Sequence, residues 1–360
     1  MGSRDEIYYW KCDCEISEED KKRLYLSSKY DDTTMLANAM DAVTEFFGAK
    51  PDSLRPFGGD GNHYAYISEY KGKSVFLRTD DGLTDDDYMM AESALMDLAR
   101  QAGVPVPEVW KVDTSMKDYP FRYQVMELVE YPALKEWDRQ GKLNEKSIAD
   151  KYGLLLSSLH GVSLPGYGFI DTAKLTKSGS VEGIDTSLRN YFDKCLGSHL
   201  DYVEKSTVVD VSKVDRIRTV LERGIGMLDG VEGKLVHRDF AYWNLLGTAD
   251  DVLAVIDWDD AVSGDPADDF GILGCFHERG FIDVVMKSYS KFHHIDEAFK
   301  ARSYLHQLRN MLWKTVIRHR LGYFDQDRDF FLNKNALGMS IREYTVYKID
   351  EALLYLEKVL

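Results

Sequence analysis

Four residues in one stretch of the chain have the types and spacing for group-transfer chemistry. The run Leu235-Val236-His237-Arg238-Asp239-Phe240-Ala241-Tyr242-Trp243-Asn244-Leu245-Leu246 reads H-x-D-x-x-x-x-N, with apolar residues at both ends to pin a loop. Asp257 follows 18 residues after Asp239 and closes the apolar run 252–256. Phosphoryl transfer needs few protein groups: a carboxylate to orient and deprotonate the attacking hydroxyl, and oxygen ligands for Mg2+ bridging the phosphates. An Asn amide oxygen and an Asp carboxylate are hard donors that suit Mg2+, with phosphate and water completing the octahedron. A loop carrying Asp239 and Asn244, followed by a hairpin returning Asp257, predicts three oxygen donors around one point.

The stretch 237–244 resembles the catalytic loop shared by protein kinases and the aminoglycoside phosphotransferase family. Ile256-Asp257-Trp258-Asp259 is similar to that family's metal-binding segment, which carries I-D-W rather than D-F-G. Gly264-Asp265-Pro266-Ala267-Asp268-Asp269 matches its G-D-P-x-x-D signature, and the resemblance spans about residues 55–275. It implies Asp239 as catalytic base and Asn244 and Asp257 as Mg2+ ligands, with ATP or GTP as phosphoryl donor. It also implies an α+β, protein-kinase-like bilobal fold. The N-terminal lobe would hold a five-stranded antiparallel sheet and a helix bearing Glu92; the C-terminal lobe would be mainly helical. Aminoglycosides lead the acceptors so implied, with macrolides, choline-like amines, sugars and homoserine-like alcohols as alternatives.

Upstream, Gly58-Gly59-Asp60-Gly61-Asn62 lies between two strand-like runs, where backbone N–H groups of a glycine-rich turn can approach phosphates. A plain hairpin reversal is the other reading of Gly58, Gly59, Gly61 and Asn62. Arg78, closing Val75-Phe76-Leu77-Arg78, stands in the place of the family's phosphate-holding lysine, with Glu92 as its implied ion-pair partner. An exposed strand-end arginine and a solvent-facing glutamate are the alternatives, and a silent nucleotide-binding module is the rival function they raise. Met126-Glu127-Leu128-Val129 resembles the inter-lobe hinge, implying adenine recognition by the Glu127 carbonyl and the Val129 N–H. Arg238 replaces the glycine of many small-molecule members and makes the loop read H-R-D, as in protein kinases. The I-D-W and G-D-P-x-x-D segments, without D-F-G or A-P-E, favour a small acceptor. His160 and His237 read as structural histidines, Trp243 and Trp258 as packing, and His293-His294 as surface.

The elements that must position these residues follow from periodicity. Residues 34–47 show helical spacing up to Gly48, residues 54–79 read as strands with a tight Lys71-Gly72 turn, and residues 85–102 read as a helix stopped by Gly103. Strand-like runs follow at 109–112 and 123–129. Beyond Pro132 the chain reads as helical, with Ile148, Tyr152, Leu155 and Leu159 on one helix face and residues 235–256 as a short β exception. The division is an extension 1–33, a nucleotide-binding lobe 34–129 and a catalytic and substrate-binding lobe 130–360.

At 360 residues the chain is long enough for two cores. A net charge of −16 argues against a nucleic-acid partner, since phosphate backbones are met by basic faces. Residues 201–269 carry 7 basic against 16 acidic residues, whereas residues 270–360 carry 14 against 11, so the last stretch does not suggest a polycationic ligand. No apolar run reaches membrane-spanning length, and Met1–Glu6 is polar, which predicts a cytoplasmic protein without a membrane anchor. Of the four cysteines only Cys12 and Cys14 are close, a poor zinc signature that predicts free thiols.

Overall fold

The computed structural model describes residues 33–58, 63–80, 82, 86–325 and 337–360. Two compact units are found: residues up to Asp97 together with Pro107–Glu130, and Leu98–Val106 together with Tyr131–Leu360.

In the first unit, helix α1 (Thr33–Phe47) precedes strands β1 (Ser53–Pro56), β2 (Tyr64–Tyr70) and β3 (Lys73–Thr79). Helix α2 (Met89–Gln101) and strands β4 (Val109–Asp113) and β5 (Tyr123–Glu127) follow. The strands form one antiparallel sheet in the order β1-β2-β3-β5-β4. Pro56, which has no N–H to donate, sits at the end of an edge strand, where the loss is harmless. Lys71 and Gly72, at φ 49° and 75°, make the two-residue turn between β2 and β3, matched to the right-handed twist of the flanking strands.

Alternation along β3 and β5 separates the two faces of the sheet. Val75, Leu77, Tyr123 and Val125 point to one side and form a core with Ala39, Ala42 and Val43 of α1. Each fully buried aliphatic side chain there contributes about 1.5–3 kcal/mol relative to exposure. Arg78 and Gln124, directly paired in the β3–β5 register, belong to the opposite side. Helix α2 begins at Met89, four residues later than its acidic run suggests; Asp85 lies outside the described residues, and Asp86 Oδ1 instead accepts the Tyr88 N–H at 3.3 Å. A short carboxylate that bonds its own backbone favours the turn before a helix over its interior. Strand β5 likewise ends at Glu127 rather than 129.

The second unit holds α3 (Leu134–Arg139), α4 (Glu145–Leu159), β6 (Tyr167–Ile170), α5 (Thr172–Ser178), β7 (Gly183–Asp185), α6 (Leu188–Asp193), α7 (Leu196–Ser206) and α8 (Val211–Gly224). It continues with β8 (Lys234–Val236), β9 (Leu245–Gly247), β10 (Val252–Val255), β11 (Val262–Gly264), α9 (Ala267–Phe276), α10 (Arg279–Tyr289), α11 (Glu297–Arg320) and α12 (Ile341–Val359). It is mainly helical, but its β content exceeds the single exception expected at 235–256. Strands β7-β6-β11-β8 make one small sheet and β9–β10 a separate hairpin. Runs of three or four residues are too short for period-two alternation to declare itself.

Helix α9 is buried along its whole length, and α11 crosses it closely. A Cβ added at Gly271 would stand 2.7 Å from the His306 Cβ and 2.8 Å from the Gln307 backbone nitrogen, so only glycine permits this approach. Tyr152 of α4, fully buried, meets the Phe240 ring edge-on at 5.0 Å and so fixes the middle of the 237–244 loop.

Candidate active site

Short ladders fix both ends of the loop 237–244. Val236 pairs with Val262 across β8–β11, and Leu245 pairs with Val255 across β9–β10. The loop's first turn is held from below by the fully buried Asp269, at the N-terminal end of α9. Its Oδ2 accepts the His237 N–H at 3.1 Å and its Oδ1 the Arg238 N–H at 2.7 Å. The same Oδ2 lies 3.0 Å from His160 Nε2, whose Nδ1 is 3.0 Å from the Tyr289 hydroxyl. His160 is therefore a buried brace.

Arg238 takes φ 62°, a left-handed conformation that costs an L-residue about 1–2 kcal/mol and that glycine adopts freely. Its surroundings offset this strain. Arg238 Nε lies 3.2 Å from Asp268 Oδ2, both side chains being buried, and its guanidinium lies 5.6 Å from the centre of the Tyr191 ring. Asp268 Oδ1 also accepts from Asn310 Nδ2 at 2.8 Å. Burial pushes the Asp268 carboxyl up, but the charges of His306, Arg238 and Arg309 overcome this and hold it below its ordinary value. Neighbouring Asp265 is held at about 2: burial raises it, and the His306 hydrogen bond with the His306 and Arg302 charges prevails.

His237 is a brace as well. Its Nδ1 faces the Asp239 N–H at 3.3 Å and its Nε2 faces the Ile256 carbonyl at 3.2 Å, which together require the Nε2–H tautomer. Burial lowers the imidazole below its ordinary value despite the nearby Asp269 and Asp239 carboxylates. A neutral ring whose two nitrogens are both engaged has no proton position left for catalysis.

The half-buried Asp239 carboxylate is oriented by two donors on the same oxygen. Trp243 Nε1–H donates to Oδ2 at 3.0 Å, and Asn244 Nδ2 donates to Oδ2 at 2.7 Å and to the Asp239 carbonyl at 3.0 Å. Both bonds fall on Oδ2, so Oδ1 is the atom that can meet a hydroxyl proton. Because the Asn244 NH2 group is committed to Asp239, the amide turns its oxygen away from that residue. The Asn244 main-chain carbonyl accepts the Ile256 N–H at 2.9 Å, placing Asp257 one residue beyond the point of contact. Asp257 is exposed and sits at φ 63°, where the chain leaves β10. The buried Trp258 donates to the Val255 carbonyl at 3.1 Å and closes that turn.

One amide oxygen and one exposed carboxylate suit Mg2+, which keeps much of its water and binds phosphates alongside few protein ligands. Among the described residues there is no group of three or more His, Cys, Asp or Glu that could cage a metal by itself.

In the first unit, Arg78 Nη1 is ion-paired with Glu92 Oε2, and both side chains are largely buried. Gln124 Oε1 lies 3.5 Å from the same nitrogen, and Gln124 Nε2 bonds the Met89 carbonyl at 2.9 Å and Ser93 Oγ at 3.0 Å. Arg78 is thus no loose strand-end arginine, and Glu92 does not face solvent. Gly58 follows β1 and Phe57, whereas Gly59, Gly61 and Asn62 lie outside the described residues, as do Cys12 and Cys14. Glu127 ends β5, with its N–H bonded to the Glu108 carbonyl at 2.8 Å; Val129 follows in a non-strand segment.

Sequence reasoning missed three features. Trp243, read as packing, is a hydrogen-bond donor to Asp239. Asp268, one residue before the signature's last aspartate, neutralises Arg238. His293, read as surface, is half-buried with Nε2 2.8 Å from the Ser157 carbonyl. A tryptophan four residues after Asp239 gives no period to read; it acts only because the loop folds back on itself.

The family model described as "Phosphotransferase enzyme family" matches residues 53–290. Among solved structures, the aminoglycoside phosphotransferase APH(4)-Ia in a ternary complex with ADP and hygromycin B matches with a TM-score of 0.61 at 17% identity, over 88% of this chain and 98% of that one. A choline/ethanolamine kinase family protein from Mesorhizobium loti matches with a TM-score of 0.57 at 17% identity, over 90% of this chain and 95% of that one. Among curated proteins none matches in sequence. At such identities the structural likenesses establish the fold: mixed α+β, with an N-terminal five-stranded antiparallel sheet and a helical C-terminal region.

Proposed function

We propose that this chain, which belongs to the phosphotransferase enzyme family, moves the γ-phosphoryl group of ATP to a hydroxyl of a small molecule. The observation that supports this most is the convergence on the Asp239 carboxylate. One oxygen is held by Trp243 and Asn244 while the other is left to a substrate.

In this reading Asp239 orients the acceptor hydroxyl and takes its proton as the oxygen attacks phosphorus, so the alcohol becomes a phosphate ester and ADP leaves. Asn244 Oδ1 and the Asp257 carboxylate would hold Mg2+, which would supply charge neutralisation at the phosphates. Arg78, kept in place by Glu92 and Gln124, steadies the α- and β-phosphates; a planar guanidinium can fork onto two oxygens where lysine offers a point charge. Gly58, and the main chain at Glu127 and Val129, complete nucleotide binding. Relatives of the fold carry names that include an aminoglycoside phosphotransferase and a choline/ethanolamine kinase family protein. Hydroxyl-bearing aminoglycosides and amino alcohols therefore head the acceptors to be screened.

The test is ADP release from Mg-ATP against a panel of aminoglycosides, macrolides, amino alcohols, sugars and hydroxy acids. Turnover with at least one acceptor, dependent on Mg2+, is the expected result. A melting temperature raised by Mg-ATP with no ADP formed under any condition would identify a nucleotide-binding module instead.

Among the described residues no helix is long and apolar enough to cross a membrane.

A further inference from the structure

The second unit carries a cation, linked to Asp239 through the rings of Trp243 and Phe276, for which the phosphoryl-transfer reading has no use. Trp243, whose indole N–H holds Asp239 Oδ2, meets the Phe276 ring edge-on at 4.8 Å between centroids. Lys314 of α11 places its ammonium 4.6 Å from the centre of that Phe276 ring and 5.5 Å from the centre of the Trp313 ring. Phe276 and Trp313 are buried, whereas Trp243 and Lys314 are half-exposed. Among the described residues no carboxylate pairs with Lys314, although most basic side chains of this helix are engaged. Arg302 is bound to Asp265, Arg309 to the Tyr191 and Phe192 carbonyls, and Arg318 to Thr345.

A half-exposed ammonium seated on aromatic faces is oriented by the ring quadrupoles. Its exposed side is open to an anion. Trp243 flanks the Asp239 carboxylate on its Oδ2 side, and an acceptor whose hydroxyl meets Oδ1 could lay its body along the indole. Beyond the indole lies the Phe276 ring, over which Lys314 stands, so the far end of such a molecule would point toward that ammonium.

Resting on the phosphotransferase reading, we propose that the acceptor is a small hydroxy compound bearing an anionic group, a carboxylate or a phosphate, which Lys314 binds. This departs from the aminoglycoside expectation: a polycation would bring like charge to Lys314, and like charge at a binding surface works against the wrong partner.

The test uses the full chain with Mg-ATP and acceptors matched in skeleton but not in end group. One set is 4-hydroxybutyrate, 1,4-butanediol and 4-amino-1-butanol; a second is glucuronate, glucose and glucosamine; glucose 6-phosphate separates a phosphate from a carboxylate. The acid-ended or phosphate-ended members are expected to give the highest kcat/KM of their sets. Lys314→Met keeps the stem on Phe276 and removes the charge. It is expected to raise KM for those members by about 10- to 100-fold, the size of one charged hydrogen bond, with kcat much less affected. Lys314→Arg is expected to restore most of the loss, and Lys314→Glu to move preference toward the amine-ended members.

Preference of the unaltered chain for neutral or cationic members, or an unchanged order in Lys314→Met, overturns the proposal and leaves the kinase reading standing. No stimulation of ADP formation by any member, in a chain that still hydrolyses Mg-ATP in an Asp239-dependent way, overturns it equally. No Asp239-dependent ATP consumption at all overturns the kinase reading, and this proposal with it.

Discussion

Replacing Asp269 by asparagine tests how far a buried carboxylate, rather than the loop's own sequence, sets the geometry around Asp239. Three groups converge on that carboxylate: the His237 N–H at 3.1 Å, the Arg238 N–H at 2.7 Å and His160 Nε2 at 3.0 Å. Asparagine has the same shape but only one accepting oxygen. If that oxygen keeps the shorter bond to Arg238, the NH2 group stands where Oδ2 was. His160 can adapt, since a change of tautomer turns Nε2 into an acceptor and Nδ1 into a donor toward the Tyr289 hydroxyl. The His237 N–H cannot adapt: it is a buried donor facing another donor. Leaving such a group unsatisfied costs about 1–3 kcal/mol, and losing the charge on the Arg238 bond adds about 1 kcal/mol. The loss therefore totals about 2–4 kcal/mol. For a domain of 150–250 residues each kcal/mol moves the melting temperature by about 2–4 °C, so a fall of roughly 4–16 °C is expected. Turnover should fall at least 100-fold even below the new melting temperature, because Asp239 follows directly on the released amides. Scanning calorimetry of both proteins, with ADP release at 20 °C, gives the two numbers. A melting temperature within 2 °C of the unaltered chain, with turnover retained, would refute the claim that Asp269 holds the loop.

Three further outcomes are expected. Trp243→Phe keeps the ring beside Phe276 and removes the donor to Asp239 Oδ2, a loss of about 1.5–3 kcal/mol in orientation. The half-exposed site puts the effect at the low end, about 10-fold in kcat, and an unchanged kcat would show the bond to be incidental. Asp257→Asn should raise the Mg2+ concentration needed for half-maximal turnover by at least 10-fold while the melting temperature stays within a few degrees; an unaltered Mg2+ titration would remove Asp257 from the metal site. Asp265 has its carboxyl depressed from 3.8 to about 2, so its contribution is complete above pH 4 and is lost as pH falls through 4 toward 2. That window is worth about 2 kcal/mol, and Asp265→Asn should flatten this part of the stability–pH curve; equal slopes with and without the carboxylate would contradict it.

Much of this was legible in the sequence for identifiable reasons. Strands β2 and β3 of the first unit declare themselves because a tight turn joins them and each is long enough to alternate, whereas the count of five strands and the Arg78–Glu92 pairing came from the family resemblance. The H-x-D-x-x-x-x-N loop and the G-D-P-x-x-D segment were visible because their side chains bond backbone at fixed intervals, which constrains spacing. Less legible was whatever depends on one side chain crossing to a distant element. Arg238 with Asp268, Trp243 with Asp239 and Lys314 over Phe276 join residues whose separation in sequence carries no period. The small sheet β7-β6-β11-β8 was hidden for another reason: three-residue strands are held by tertiary partners rather than by propensity. Helix α2 starts late because Asp86 serves the turn before it.

The most direct test concerns one carboxylate. In Asp239→Ala, ADP release with the acceptor that the screen identifies should fall by at least 1,000-fold, while Mg-ATP still raises the melting temperature as it does in the unaltered chain. Turnover surviving in that variant would contradict the assignment of the proton acceptor, and with it the reading of the loop as the centre of a phosphotransferase.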